Sequence, residues 1–243
     1  MSQHSQVGDQ DELNIAKPLY TPIKRRSFFM YAGATAGATA LVLAGCSKDD
    51  TVNAPVAGAI NVGTGDIGVL NYAYALEQLE AGFYTTLRAG TYYTGLAPTS
   101  AERLILDDLY YHEVIHREYF RSAIPAASRI SDALVPNFAT INFNDRASVL
   151  GTAKAFEDLG VAAYNGAGQY ITTPAYLFVA GKIVSVEARH AAIIRDLLQE
   201  GSFLGSDIVS SNSLEISKAP SVVVATANTF LATGSQLNVS GLG

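Results

Sequence analysis

The sequence contains two Glu-x-x-His motifs, Glu113–His116 and Glu187–His190, which restrict the fold of this chain more than any other feature. Each motif lies in a long segment with the apolar spacing of an amphipathic helix. Residues three apart on an α-helix point to the same side, so the carboxylate and the imidazole of one motif can bind the same ion. A fold that uses both motifs must bring two helices together at one point.

Each motif is preceded by a helical segment that carries a further glutamate and, seven residues later, a tyrosine. These pairs are Glu77 with Tyr84 and Glu157 with Tyr164, which are related by an offset of 80 residues. The two Glu-x-x-His motifs are related by an offset of 74 residues. The pattern is an internal duplication of a helix pair, and its glutamates and histidines are the ligand set that a di-metal carboxylate bundle requires.

Capping, proline and glycine signals predict four helices, over about 66–89, 99–123, 144–170 and 174–199. Asp66 is the predicted N-cap of the first helix, and Asn144 or Asp145 is that of the third. Thr99–Glu102 has the sequence of a capping box at the start of the second. Pro174 is predicted to occupy the first turn of the fourth helix.

The lengths of the connections predict the topology. The turns at 90–98 and 171–173 are short, so the first and second helices, and the third and fourth, are expected to form antiparallel hairpins. Residues 124–144 could span up to about 70 Å when extended, whereas a helix of about 24 residues is roughly 36 Å long. This segment can therefore run the whole length of the bundle. The predicted fold class is all-α, a four-helix bundle with one long crossover.

The N-terminal region has the pattern of an export signal. Residues 24–29 (Lys-Arg-Arg-Ser-Phe-Phe) form a twin-arginine motif, a mildly apolar run follows over 28–44, and residues 43–46 (Leu-Ala-Gly-Cys) resemble a lipobox. Residues 1–45 are therefore predicted to be a cleaved twin-arginine lipoprotein signal peptide, with Cys46 as the lipidated first residue. The alternative is a single transmembrane anchor, which the many Gly, Ala and Thr residues of the run disfavour.

The remaining chain divides into three predicted parts. Residues 46–62 are a linker, 63–201 are the helical bundle, and 202–243 are a C-terminal extension. Residues 221–231 of the extension could form a short fifth helix or an extended segment, because the run begins with three valines. The predicted location is the bacterial cell envelope or periplasm, with the lipid holding the protein on the membrane.

Charge and cysteine content exclude several classes of protein. The formal net charge is −6 and no basic run lies outside the N-terminus, which argues against a nucleic-acid partner. Cys46 is the single cysteine. Disulfides, iron–sulfur clusters and a Cys₄ metal module are therefore excluded.

The paired Glu…Glu-x-x-His pattern over about 66–200 resembles the ferritin-like superfamily, and specifically the exported ferritin-like domain proteins that include desiccation-related proteins. The resemblance implies a ferritin-like four-helix bundle and six metal ligands, Glu77, Glu113, His116, Glu157, Glu187 and His190. It also implies that one glutamate from each half bridges or chelates, and that each histidine binds one metal. Four carboxylates would neutralise two divalent cations. Mixed carboxylate and imidazole ligands suit two Fe or two Mn ions better than zinc.

Several neighbouring residues are candidates for supporting roles. Tyr84 and Tyr164 could hydrogen-bond ligand carboxylates across the site or could simply be core tyrosines. Glu80 lies one turn after Glu77 and could be an additional ligand, but its repeat counterpart is Gly160, which favours an accessory role. His112 points about 100° away from Glu113 and is expected to be a surface or supporting residue.

Two functions are compatible with this site. The first is redox chemistry at a di-iron or di-manganese centre, which would make the chain a ferroxidase-like or catalase-like oxidoreductase acting on ferrous iron, peroxide or another small molecule. The second is a structural, desiccation- or stress-protective envelope protein with a structural or vestigial metal site. The oligomeric state is open, with a dimer as one candidate. The lipid and the C-terminal extension argue against a closed storage shell.

Overall fold

The computed structural model describes residues 58–242 and confirms an all-α fold. Its regular elements are four long helices and one short helix, α1 (Gly65–Ala89), α2 (Ala101–Ala123), α3 (Arg146–Ala167), α4 (Pro174–Leu198) and α5 (Pro220–Ala227). Shorter turns are the helical turn Thr91–Thr94 and the 3-10 turns Gly168–Tyr170 and Asn228–Phe230. Two strands, β1 (Ile60–Asn61) and β2 (Leu237–Asn238), pair in parallel.

Side-chain caps set the helix boundaries close to the predicted positions. Asp145 is the N-cap of α3 and accepts a hydrogen bond from the backbone N–H of Ser148 at 2.7 Å. The α2 cap differs by one residue from the prediction, because Ser100 rather than Thr99 accepts the N–H of Arg103. Each cap satisfies one of the backbone donors that a helix leaves unpaired at its start.

Asp66 is not the N-cap of α1, contrary to the sequence prediction. The helix starts one residue earlier, and Thr64 occupies the cap position without a side-chain hydrogen bond. The Asp66 carboxylate instead accepts the backbone N–H groups of Thr172 at 2.7 Å and Thr173 at 2.9 Å. Asp66 therefore joins the start of α1 to the turn that precedes α4.

The two long hairpins form as predicted, and the crossover segment, residues 124–144, lies along α1. The Asn71 side chain hydrogen-bonds the backbone of residues 128–130, and the Gln78 side chain hydrogen-bonds the backbone of residues 131–134. Both amides are buried, so these bonds satisfy polar groups that burial would otherwise leave unpaired.

The crossover reaches the far end of α1 at Gly90. A Cβ atom at this position would lie 2.3 Å from the carbonyl oxygen of Phe143, so a larger residue would displace the segment. The crossover therefore travels from one end of the bundle to the other, and α2 and α3 run parallel. The result is two helix hairpins, α1 with α2 and α3 with α4, joined by one long crossover.

The C-terminal extension packs on the outer side of α3. Val223 and Ala227 of α5 are fully buried, and the N–H of Lys218 donates to the carbonyl oxygen of Ala162 at 3.0 Å. The extension also contributes Phe230, whose ring centroid lies 4.8 Å from that of Phe156. These contacts make the extension part of the same core as the bundle.

The predicted signal peptide, including Cys46, lies outside the described residues, as does the linker up to residue 57. Within residues 58–242, no helix combines the length and the apolar character needed to cross a membrane.

Candidate metal centre

Six buried side chains from the four long helices meet inside the bundle. They are Glu77 of α1, Glu113 and His116 of α2, Glu157 of α3, and Glu187 and His190 of α4. All four carboxylate residues are 0 % exposed. The structure therefore brings together the six residues that the family resemblance implied as metal ligands.

The six residues form two overlapping groups of four. In each group the candidate ligand atoms all lie within 4.8 Å of one another. The first group is Glu77, Glu113, His116 and Glu187. The second group is Glu113, Glu157, Glu187 and His190. Glu113 and Glu187 belong to both groups. The arrangement has the layout of two adjacent ion sites that share two carboxylates.

Glu113 and Glu187 each direct one oxygen to either half of the centre. Oε1 of Glu113 lies 2.7 Å from Nδ1 of His190, and its Oε2 lies 3.7 Å from Nδ1 of His116. Oε1 of Glu187 lies 2.8 Å from Nδ1 of His116, and its Oε2 lies 3.2 Å from Nδ1 of His190. These two glutamates therefore have the geometry of bridging carboxylates.

Glu77 and Glu157 each serve one half of the centre. Oε2 of Glu77 lies 3.5 Å from Nδ1 of His116, whereas Oε1 accepts a hydrogen bond from Tyr164. In the other half, Oε1 of Glu157 accepts a hydrogen bond from Tyr84. Each tyrosine therefore binds the glutamate of the other half, so that one carboxylate oxygen is held and the other faces the centre.

Eight potential metal-ligand atoms of the six residues have no hydrogen-bond partner within the described part of the chain. They are Oε2 of Glu77 and Glu157, both carboxylate oxygens of Glu113 and Glu187, and Nδ1 of His116 and His190. Each histidine Nδ1 lies close to glutamate oxygens, but the geometry of these contacts is not that of a hydrogen bond. Buried polar atoms normally have a hydrogen-bond partner. Eight unpaired ligand atoms that converge on two points therefore indicate that a shared binding partner belongs at each point. Two cations would satisfy all of them.

Burial and mutual charge displace the pKa values of the ligands in opposite directions. Burial raises the pKa of Glu113 to about 8, with the nearby Glu187 charge adding to the effect. Burial would also raise the pKa of Glu187, but the adjacent His116 and His190 lower it to about 2. Burial opposes protonation of His116, but the surrounding glutamates raise its pKa to about 12. In the metal-free protein, protons on these groups therefore compensate the carboxylate charge.

Glu80 lies beside the centre but in neither group of ligands. Its side chain is buried, and a Cβ atom on Gly160 would lie 3.0 Å from its Oε1. Gly160, the repeat counterpart of Glu80, thus leaves room for the Glu80 carboxyl group. Burial, followed by the charges of the four ligand glutamates, raises the pKa of Glu80 well above its usual value. Glu80 is therefore a buried carboxyl group that favours its protonated form more than an ordinary glutamate does, and its place outside both ligand groups is in keeping with an accessory role.

His112 contacts one ligand from the outside of the bundle. Its Nδ1 lies 2.8 Å from Nε2 of His190, and the two rings stack with centroids 5.1 Å apart. The counterpart of His112 at the repeat offset is Val186, which has no polar side-chain atom. The contact therefore orients one histidine ligand through its outer nitrogen and has no equivalent at the other.

A sequence model described as a ferritin-like domain matches residues 65–200. The chain belongs to the ferritin-like domain family. The matched range includes α1 to α4 and all six candidate ligands of this ferritin-like protein. No curated protein sequence matches the chain.

The sequence left two features of this ferritin-like centre open. It did not identify which glutamates would bridge, and the structure distinguishes Glu113 and Glu187 by their positions in both groups. It also allowed Tyr84 and Tyr164 to be either hydrogen-bond donors to ligand carboxylates or core tyrosines, and in the structure both hydroxyls bind ligand carboxylates. The identical Glu-to-Tyr spacing in both halves was the sequence signal that favoured hydrogen bonding to the carboxylates.

Proposed function

We propose that this ferritin-like protein binds two ions of iron or manganese and uses them for redox reactions of dioxygen, peroxide or ferrous iron. The observation that carries the proposal is the set of eight unpartnered donor atoms that converge from four helices. A buried polar atom without a partner costs about 1–3 kcal/mol. Eight such atoms in one place would be a large cost for a site without ions.

The donor set fits these metals. Carboxylate oxygens and imidazole nitrogens suit iron and manganese, and the centre contains no sulfur donor that would favour a softer ion. Four ionised glutamates balance the charge of two divalent cations. The buried centre would therefore carry no net charge, which avoids the large desolvation cost of isolated buried ions.

The residues of this chain have distinct roles in such a centre. Glu113 and Glu187 would hold both ions at a fixed separation, while Glu77 and Glu157 would each complete one site. A pair of redox-active ions held by these residues would allow two-electron exchange with a small molecule. Tyr84 and Tyr164 fix the orientation of the non-bridging carboxylates, because each hydroxyl donates a hydrogen bond to the carboxylate oxygen that faces away from the centre.

Metal content and turnover together test this proposal. Elemental analysis of protein purified without its signal peptide should give about two Fe or Mn ions per chain, as expected for a di-metal bundle, and Glu113→Ala or His190→Ala should reduce that number. Glu118→Ala is the matched control, because Glu118 is an exposed glutamate on the same helix as Glu113. Unchanged metal content in both site variants would refute the ligand assignment.

Turnover distinguishes the redox proposal from its main alternative. The loaded protein should consume peroxide or oxidise ferrous iron, and the His190→Ala variant should not. A protein that holds two ions per chain but reacts with neither compound would instead have a structural, stress-protective role, with the ions linking the four helices.

We also propose that the protein is exported by the twin-arginine route and held on the cell-envelope membrane by a lipid on Cys46. The supporting observations are the twin-arginine motif and the lipobox-like residues 43–46. Mass spectrometry of the N-terminal peptide of protein made in a bacterial host should show a diacylglyceryl group on Cys46. A Cys46→Ser variant should lose that mass and leave the membrane fraction. An unmodified Cys46 in the full-length chain would contradict the proposal.

A further inference from the structure

An apolar cavity lies inside the bundle beside the candidate metal centre. Its volume is about 20 Å³, and all four long helices contribute to its walls. Leu76, Ala163 and Tyr164 are among the lining residues. Leu76 directly precedes Glu77, and the Tyr164 hydroxyl hydrogen-bonds that glutamate. The cavity therefore adjoins the centre at the Glu77 side.

The internal repeat explains why the cavity is on one side. The offset of 80 residues that aligns Tyr84 with Tyr164 also aligns Phe83 with Ala163. The Phe83 ring is fully buried and meets three other phenylalanine rings, those of Phe138, Phe143 and Phe156, with centroids 5.2–6.1 Å away. In the other half, Ala163 supplies only a methyl group. One half of the centre is thus covered by packed phenylalanines, and the equivalent place in the other half is a cavity.

The cavity extends from the surface region of the bundle to its interior. Tyr119, Tyr176 and Val179, which line its outer part, are partly exposed. Tyr72 and Leu76, which line its inner part, are almost completely buried. The cavity lining therefore includes residues near the surface and residues next to Glu77.

The size and polarity of the inner cavity select its ligand. A volume of roughly 10–15 Å³ is enough for one water molecule, so this cavity accommodates one molecule of that size. A buried water needs two to four polar partners. The Tyr72 hydroxyl has no partner in the described residues, but the Tyr164 hydroxyl is already committed to Glu77. The other inner lining residues, such as Leu76 and Ala163, have apolar side chains, so most of the cavity surface suits a small apolar molecule.

We propose that this cavity binds one small apolar molecule, a diatomic gas such as dioxygen, on its way to the metal centre. The destination rests on the proposed function, whereas the binding itself depends only on the cavity. The proposal also identifies the Ala163 half, rather than the Phe83 half, as the side from which a gas approaches the candidate ligands.

Xenon tests the binding step because it occupies apolar cavities and needs no metal. Crystals of the protein under xenon pressure should show xenon in contact with Leu76, Ala163 and Tyr164. An Ala163→Phe variant restores the ring that Phe83 supplies in the other half, and xenon should then be lost. Ala163→Val is a smaller substitution for the case in which the larger ring prevents folding. Ala147→Val is the control, since Ala147 is exposed on the same helix.

The approach route is tested with the loaded protein. After loading with ferrous iron, the reaction of Ala163→Phe or Ala163→Val with dissolved dioxygen should be slower than that of Ala147→Val, with metal content unchanged. Absence of xenon from the wild-type cavity would overturn the binding site, and an unchanged rate in a variant that has lost xenon would overturn the route. A protein that binds xenon but no iron or manganese would refute the proposed function alone.

Discussion

Tyr84 on α1 donates a hydrogen bond to Glu157 on α3, and its repeat counterpart Tyr164 donates the same bond to Glu77 on α1. The two bonds cross between the halves of the chain, so each half orients a ligand of the other. Because Glu77 and Glu157 are 0 % exposed, neither carboxylate oxygen could obtain an equivalent bond from solvent. The tyrosines therefore couple the position of one hairpin to the ligand geometry of the other.

Tyr84→Phe should weaken both folding and ion binding. The substitution leaves a buried carboxylate oxygen without its donor, which we expect to lower the free energy of unfolding by about 1–3 kcal/mol. Loss of a bond that orients a ligand should also reduce metal affinity by about 10- to 100-fold. Chemical denaturation and competitive metal titration measure the two effects.

Tyr92→Phe is the matched control for this substitution, since Tyr92 hydrogen-bonds Glu102 away from the centre. It should change stability but leave metal affinity as in the wild type. Equal losses of affinity in Tyr84→Phe and Tyr92→Phe would mean that the effect is a general loss of stability.

Glu113→Gln and Glu77→Gln should differ in the number of ions that they affect. Glu113 has an oxygen in each half of the centre, so its neutralisation should weaken both sites. Glu77 belongs to one group only, so Glu77→Gln should leave the second site, which contains His190, close to its wild-type affinity. Titration with Mn²⁺, followed by electron paramagnetic resonance, counts the bound ions. Loss of both ions in Glu77→Gln alone would contradict the bridging assignment.

The metal-free protein should become less stable as the pH rises from about 5 to about 8. Burial raises the pKa of Glu113 from 4.5 to about 8, so the stability that this group contributes is fully present below 4.5 and is lost as the pH rises through about 8. The raised pKa of His116 acts in the same direction above 6.5. We expect a slope on the order of 1 kcal/mol per pH unit in urea denaturation.

Glu113→Gln is the control for this pH dependence, because it should reduce the slope. Ion binding should follow the opposite trend and tighten with pH, since the ligands must lose protons first. A metal-free protein whose stability is constant or increases between pH 5 and pH 8 would show that Glu113 is not held in a protonated state.

Gly160→Ala should be unfavourable only while Glu80 is present. Alanine in a helix interior is about 1 kcal/mol more favourable than glycine, but the added Cβ would lie 3.0 Å from Oε1 of Glu80. In a Glu80→Ala background the steric conflict is absent, and the same substitution should be stabilising. Thermal denaturation of the two single variants and the double variant gives the coupling energy. Additive effects would indicate that the two side chains are independent.

Helix periodicity allowed the candidate ligands to be identified from the sequence. A Glu-x-x-His spacing places both side chains on one face of a helix, whatever the helix packs against. The duplication then supplied Glu157, Glu187 and His190 from the positions of their counterparts. The bridging roles of Glu113 and Glu187 depend on how far apart α2 and α4 lie, and residue spacing within one helix carries no information about that distance.

The prediction for Asp66 failed for a related reason. The residue type and position suit an N-cap of α1, but the donors that it binds are the backbone N–H groups of Thr172 and Thr173, more than one hundred residues away in the sequence. The cavity was also missed, although the alignment of Phe83 with Ala163 was available. Whether a missing ring leaves space depends on residues from the other helices around it.

The sharing of Glu113 and Glu187 has an evolutionary consequence. The hairpin of α1 and α2 holds three members of the first group, and the fourth, Glu187, comes from the other hairpin. A single ancestral hairpin would therefore have needed a second copy of itself to complete either site. The crossover segment joins the two copies into one polypeptide, and only then can the copies differ from each other. The differences between Glu80 and Gly160, and between Phe83 and Ala163, are of a kind that a symmetric homodimer could not have acquired.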